Sequence, residues 1–383
     1  MIKSPYEVVC YESGLKAKVI GLQVHLWGPS ETLNTAYFEW KYQSNPYVHT
    51  PLIYLAMQEG QVVGMRGFHG MQLEGGNPNQ KSIALYADDL VIHPEHRNRG
   101  LVRKIMVAAF EDLATRGYQH VLNMSAGKMN LLASLTMGWR SVGSMQPMSQ
   151  RSKWASLFRV REHLNRLLPT PSVNISEITR RRSGKKRRFI TDPGVEQARH
   201  LFAHTPWIHL EDKPRSAAMA ELVERIGGNG YIRQVRDYPY FDWRFQNPQS
   251  RYHFLYWAKT RLEGYLVLQE YTSPNANHRI VNIVDWEATS IVTHAELLRA
   301  AIKLAANRGL NIWAVTLPRQ ITAMLEDSGF KLEQQPRSAE QDRSALLVRP
   351  VRDLEIEGSW KFAGQSLLDM KSWDIRMLYS MRG

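Results

Sequence analysis

Phe38-Glu39-Trp40-Lys41-Tyr42-Gln43-Ser44-Asn45-Pro46 returns later in the chain as Phe241-Asp242-Trp243-Arg244-Phe245-Gln246-Asn247-Pro248. Aromatic, acid, tryptophan, cation, aromatic, glutamine and Asn-Pro recur in order, with one residue deleted. Such internal similarity marks a duplicated structural unit, and the residues after each copy extend it. An apolar run and a glycine-containing turn follow in both halves, Leu52 to Ala56 then Gly64, and Phe254 to Ala258 then Gly264. This pattern predicts a β-hairpin in each half.

The order continues downstream. Strand-like segments end at Asp89 and at Asp285, which hold equivalent places. A helix follows each, with apolar residues at helical spacing: Leu101, Ile105, Ala108, Ala109 and Leu113, then Leu297, Leu298, Ala301, Ile302 and Ala305. Both helices run into Arg-Gly, at Arg116-Gly117 and Arg308-Gly309, where glycine suits a left-handed C-terminal cap. A strand and a short helix come next, ending in Gly138-Trp139 and Gly329-Phe330. The expected fold class is therefore α/β, as two copies of one unit. Residues 1–150 form the first, 151–187 a helical and basic connector, 188–350 the second and 351–383 a tail. The second copy is about four residues shorter between its aspartate and its Arg-Gly, so it lacks a local segment.

In the first copy that segment is His93-Pro94-Glu95-His96-Arg97-Asn98-Arg99-Gly100-Leu101-Val102-Arg103-Lys104. A strand leads into a cationic turn, and the turn opens a helix. The first N–H groups of a helix have no intrahelical partner, and the helix dipole places about half a positive charge there. Gly100 lets the backbone approach a phosphate, and Arg97, Arg99, Arg103 and Lys104 supply counter-charge. The corresponding Trp286-Glu287-Ala288-Thr289-Ser290 has neither the glycine nor the arginines.

Leu90 to Leu101 resembles the coenzyme A signature of the GCN5-related N-acetyltransferase (GNAT) superfamily, a strand, then proline, then Arg/Gln-x-x-Gly-x-Gly/Ala at a helix start. It departs at Val102, where glycine or alanine is usual. The resemblance covers residues 1–150 well and 188–350 as fold alone. It implies two tandem GNAT-like domains, each a mixed, mostly antiparallel sheet flanked by helices, with an acyl-coenzyme A site in the first. It also implies an enzyme moving an acyl group from acyl-CoA to a primary amine by direct attack. In that family, amides of the strand before the loop contact the pantetheine and thioester. The matching residues here are Leu90, Val91 and Ile92, and Arg97 to Lys104, including Asn98, would hold the phosphates.

Direct attack needs a deprotonated amine, a polarised carbonyl and a proton for the thiolate. Asp88 and Asp89 precede the strand amides, and alternation on a strand turns them to opposite faces. Asp89, equivalent to Asp285, is the expected base, with Asp88 and Asp285 as candidate substrate-binding acids. Where the family often has a proton-donating tyrosine, this chain has Ser134. Trp40 and Trp243 either line an acceptor cleft or pack their helices into the domains. The isolated histidines His25, His69, His204 and His209 show no His-x-x-x-His spacing, so no metal is expected.

The 383 residues carry 49 Lys+Arg against 36 Asp+Glu, and hydrophobic content of 43% excludes a largely disordered chain. Seven of the cations lie in Arg180-Arg181-Arg182-Ser183-Gly184-Lys185-Lys186-Arg187-Arg188, which reads first as a solvated linker. The single cysteine, Cys10, forms no internal disulfide, Met1 to Cys10 has no signal-peptide pattern, and no run of 18 apolar residues occurs, so a cytoplasmic location is expected. The tandem layout resembles acyltransferases of surface polysaccharide synthesis, including lipopolysaccharide, that act on nucleotide-linked amino sugars such as dTDP-sugars. Such an amine is the expected partner. Nucleic acid is not, although an aminoacyl-tRNA-dependent FemX-like transferase and a non-enzymatic acyl-CoA-binding module remain alternatives.

Overall fold

A computed structural model describes residues 5–124, 128–151, 206–271, 280–305, 308–333 and 345–380. The helical stretch expected near Trp154 to Leu168, and the Arg180 to Arg188 run, lie outside them. The first unit begins with β1 (Glu7–Cys10), α1 (Lys16–Trp27) and α2 (Glu31–Phe38), then the predicted hairpin of β2 (Leu52–Gln58) and β3 (Gln61–Gly75). β4 (Gln80–Ile92), α3 (Leu101–Thr115), β5 (His120–Asn123), α4 (Lys128–Leu135), β6 (Arg140–Ser144) and β7 (Pro147–Gln150) complete this half of the chain.

The second unit repeats the plan: β8 (Ile208–Glu211), α5 (Ser216–Ile226), β9 (Arg233–Gln234), α6 (Tyr238–Arg244), β10 (Ser250–Ala258), β11 (Leu262–Tyr271) and β12 (Ile280–Ala288). α7 (Ile291–Ala305), β13 (Gly309–Trp313), α8 (Arg319–Asp327), β14 (Lys331–Leu332) and β15 (Ala345–Pro350) follow. The helices form where apolar residues recur along one face. α3 buries Leu101, Ile105, Ala109 and Leu113, and α7 buries Leu297, Leu298, Ala301 and Ala305. Gly117 takes the expected left-handed conformation, φ 83°. Gly309 does not; it opens β13 opposite Ile280.

The sheets exchange strands across the sequence boundaries. The first has the order β1-β2-β3-β4-β5-β15-β6, and the second β14-β7-β13-β12-β11-β10-β8. β15, from the second span, lies between β5 and β6 with Leu346, Leu347 and Val348 fully buried. β7, from the first span, pairs with β13 and β14. Divisions at 150 and 350 thus follow the sequence repeat, whereas hydrogen bonding adds β15 and β9, which pairs with β3, to the first sheet and β7 to the second. Residue alternation fixes which face of a strand is apolar and leaves open which sheet it joins.

The tail also enters the core. Leu367, Trp373, Ile375, Leu378 and Tyr379 are buried, and Ile232 bridges to Trp373. Arg244 fastens this segment, donating from Nε to the Leu378 carbonyl (2.9 Å) and from Nη2 to that of Ser380 (2.7 Å).

Candidate active site: a cofactor loop and a buried charge cluster

The expected turn after β4 exists and opens α3. Pro94–His96 make a short 3-10 turn, Asn98 and Gly100 take positive φ (61° and 71°), and Gly100 caps α3 with no side chain on the first amides. Lys104 N–H is the first to bond back, to the Gly100 carbonyl (3.2 Å), which leaves the Leu101, Val102 and Arg103 amides at the open end of the helix. A Cβ on Gly100 would meet nothing within 4 Å, so glycine is needed for its φ and the approach from solvent is clear. Arg97 donates from Nε to the Ile92 carbonyl (3.3 Å), and Arg99 from Nη1 to Tyr6 Oη (2.7 Å), so both are braced at the loop. Orphaned amides, an exposed glycine and four cations fit a pyrophosphate.

Beside the loop, β4 and β5 part. Their parallel pairing covers only Leu85↔Val121 and Tyr86↔Leu122, and β5 ends at Asn123. On its other edge β4 stays bonded to β3, and His93 N–H reaches the Val63 carbonyl (2.8 Å). Alternation along this ladder turns the Val91 amide to β3 and those of Leu90 and Ile92 to the open side. Val91, expected at the cofactor through its amide, instead belongs to the sheet and is buried in the core.

A bulge places the acids. Gly67 pairs with Asp88 and Met65 with Val91, so Asp89 and Leu90 together oppose Arg66, with Asp89 at φ 49°. Lys41 donates to Asp88 Oδ2 (2.7 Å) and Asp89 Oδ1 (3.0 Å), and Tyr42 Oη donates to Asp89 Oδ2 (2.7 Å). The side chains of Lys41 and Asp89 are wholly enclosed; that of Asp88 is 9% exposed. Burial pushes the Asp89 carboxyl above its ordinary range, with Lys41 pulling the other way. Gly67 makes the arrangement possible, since a Cβ there would lie 1.9 Å from Tyr42 Oη.

Two further basic groups stand around the cluster. Arg66 is buried with no partner for Nε, and His69, packed on the Tyr86 ring at 5.0 Å, has none for Nδ1. Burial and the nearby Lys41 charge hold His69 well below the usual histidine range, and therefore neutral. Sequence reasoning gave no role here to Lys41, Tyr42 or Arg66, and read His69 only as an isolated histidine. The signal for the first was present: a cation inside an aromatic motif, repeated as Arg244.

The other expected residues are distributed differently. Ser134 is buried in the last turn of α4, where its carbonyl accepts from Met137 and Trp139 N–H. Trp40 and Trp243 do not line a cleft. Their rings stack at 5.0 Å, and each Nε1 donates to the other's main-chain carbonyl (2.7 and 2.8 Å), so they join the two units. Asp285 is enclosed by Arg236 Nη1 (2.8 Å) and Tyr265 Oη (2.7 Å), within the second unit. Among the described residues, His93, Glu95 and His96 bring one ligand atom each within 4.8 Å of one another.

The model of the Acetyltransferase (GNAT) family matches residues 22–133. No curated protein matches the chain. Among solved structures, a GCN5-related N-acetyltransferase from Anabaena variabilis ATCC 29413 aligns with a TM-score of 0.55 at 12% identity, over 91% of this chain and 73% of that one. A tandem GNAT protein from the clavulanic acid biosynthesis pathway gives 0.50 at 12% identity, over 91% and 99%. Saccharomyces cerevisiae N-myristoyltransferase with bound myristoyl-CoA gives 0.53 at 11% identity, over 91% and 80%. At such identities the likeness is one of fold. Bulged strand and doubled sheet together show that this chain carries the GNAT fold in tandem, with the family's sequence pattern in its first unit.

Proposed function

We propose that this chain is an acyl-CoA-dependent N-acyltransferase that acylates a primary amine by direct attack. The observation that carries the reading is the conjunction at one end of β4. Orphaned α3 amides and cations, suited to a pyrophosphate, stand beside free strand amides and a buried pair of carboxylates. Acyl-CoA supplies, when bound, a thioester carbon open to an amine. The loop cations and the Leu101 to Arg103 amides hold its phosphates, and the Leu90 and Ile92 amides are free to donate beside them.

The Asp88–Asp89 pair takes the amine proton. Asp88, on the exposed side, meets the amine, and Lys41 offsets the negative charge that both acids would otherwise share. As the C–N bond forms and the C–S bond breaks, the thiolate takes a proton from Ser134 or from water.

The acceptor in this reading is a nucleotide-linked amino sugar, supported by the tandem layout and the excess of 49 Lys+Arg over 36 Asp+Glu. Thiol release from acetyl-CoA, measured over a panel of dTDP- and UDP-amino sugars and simple amines, tests both parts. Turnover restricted to simple amines overturns the acceptor; no turnover with any acyl-CoA overturns the enzyme.

A further inference from the structure

The second unit lost the cofactor loop but kept the opening. β12 and β13 pair only from Ile280 to Asn282, against Gly309 to Asn311, and then separate as β4 and β5 do. A cavity of about 670 Å³ occupies this region, between the C-terminal half of β12, the segment after β13, His294 in α7 and the tail around Met370 to Arg376. That volume suits a small organic ligand. With no glycine turn and no arginines before α7, nothing replaces the phosphate cradle of the first unit, so a second coenzyme A is not the fitting occupant.

The chemistry of the walls narrows the choice. Their charges are largely matched within the protein. Glu287 Oε1 accepts from Arg236 Nη2 (2.6 Å) and Arg376 Nη2 (2.8 Å), Asp374 Oδ1 from Arg376 Nε (2.8 Å), and Glu74 Oε1 from Arg233 Nε (2.8 Å). A charged ligand entering here would add a charge to a set already balanced, with only the exposed Lys371 at the lining to meet it. Polar and aromatic surface is nevertheless plentiful. The exposed lining residues Gln146 and Asn229 carry amide groups, and the ring of Tyr231 is 46% exposed. Such a surface offers hydrogen-bonding groups to an uncharged ligand and flat faces to its C–H groups.

We infer that the cleft of the second unit binds an uncharged, hydroxyl-rich ring, of the glycosyl or polyol class. It lies apart from the acyl-transfer site and does not rest on that activity. Saturation-transfer NMR on the full chain provides the test, with methyl glycosides and N-acetylglucosamine as neutral probes. Glucosamine and glucuronate serve as charged ones, and coenzyme A as competitor. Neutral rings should receive saturation, charged analogues should bind about tenfold more weakly, and coenzyme A should displace neither.

Val315→Trp, which fills the cleft, should weaken the neutral probes at least about tenfold while leaving coenzyme A binding unchanged. If that variant does not fold, Tyr231→Ala, at an exposed position, should lower the same signal. The inference is overturned if neutral rings give no saturation, if charged analogues bind equally well, if coenzyme A displaces the probes, or if a folded cleft variant binds like wild type.

Discussion

Lys41 and Arg244 occupy the same place in the two copies of one motif and do different work. In the first copy the helix widens into a π turn, with Ser44 N–H bonding to the Glu39 carbonyl five residues back. In the second it stays α-helical, with Phe245 N–H bonding to Phe241 four back. A π turn holds one residue more than an α turn, and the extra Ser44 is the residue the second copy lacks. Lys41 reaches across to the acids of its own β4, whereas Arg244 holds the tail and Arg236 takes over the partner role toward Asp285. One insertion accompanies the difference between a charge cluster on β4 and an anchor for a chain end. The two copies share the fold and differ in what the cation of the motif holds.

The largest test of this contrast is kinetic. Asp88→Asn should lower kcat about 10²–10⁴-fold in a thiol-release assay, with Asp285→Asn nearly without effect. Equal losses would erase the functional distinction between the units. Next comes Lys41→Met, which strands two carboxylates in the interior. Urea unfolding at neutral pH should show a loss of about 3–5 kcal/mol, shrinking as the pH is lowered and the acids take up protons.

The pH dependence of stability should separate Glu287 from Asp89; Asp285 is raised by burial as Asp89 is. Glu287 is held down to about 2 from 4.5, as the Arg376 and Arg236 charges outweigh its burial. Its stabilising contribution is complete above pH 4.5 and disappears as pH falls from there toward 2. Asp89, pushed upward by burial, has the opposite sign: its contribution declines as pH rises through its folded value. Unfolding midpoints measured against pH should therefore show an acid limb that Glu287→Gln flattens and Asp89→Asn does not. The smallest effect is expected at the join between the units. Trp243→Phe deletes the bond to the Trp40 carbonyl and should cost about 0.5–1.5 kcal/mol in the same unfolding assay, with kcat retained.

Much of this was legible in the chain. The repeat marked two units, apolar periodicity located α3 and α7, and the run from His93 to Lys104 marked the glycine turn that opens α3, because each is a local pattern with a local physical cause. The acids were identified as a pair, but their partner was not. Lys41 lies far from Asp88 in sequence, and only the β3–β4 bulge and the absence of a Cβ on Gly67 bring Tyr42 and Lys41 to them. Trp40 and Trp243 show the same limit: a motif announces that two aromatic residues are important without saying that they face one another.

The sequence by itself determined the tandem α/β architecture and the glycine turn that opens α3, since helix ends, glycine conformations and residue periodicity act over a few positions. Tertiary structure decided the rest. Whether β7 and β15 stay with their own halves or cross over, whether Asp89 meets solvent or Lys41, and whether the tail trails or fills the core depend on burial and on pairing buried charges. Those terms are settled only when distant segments compete for the same interior.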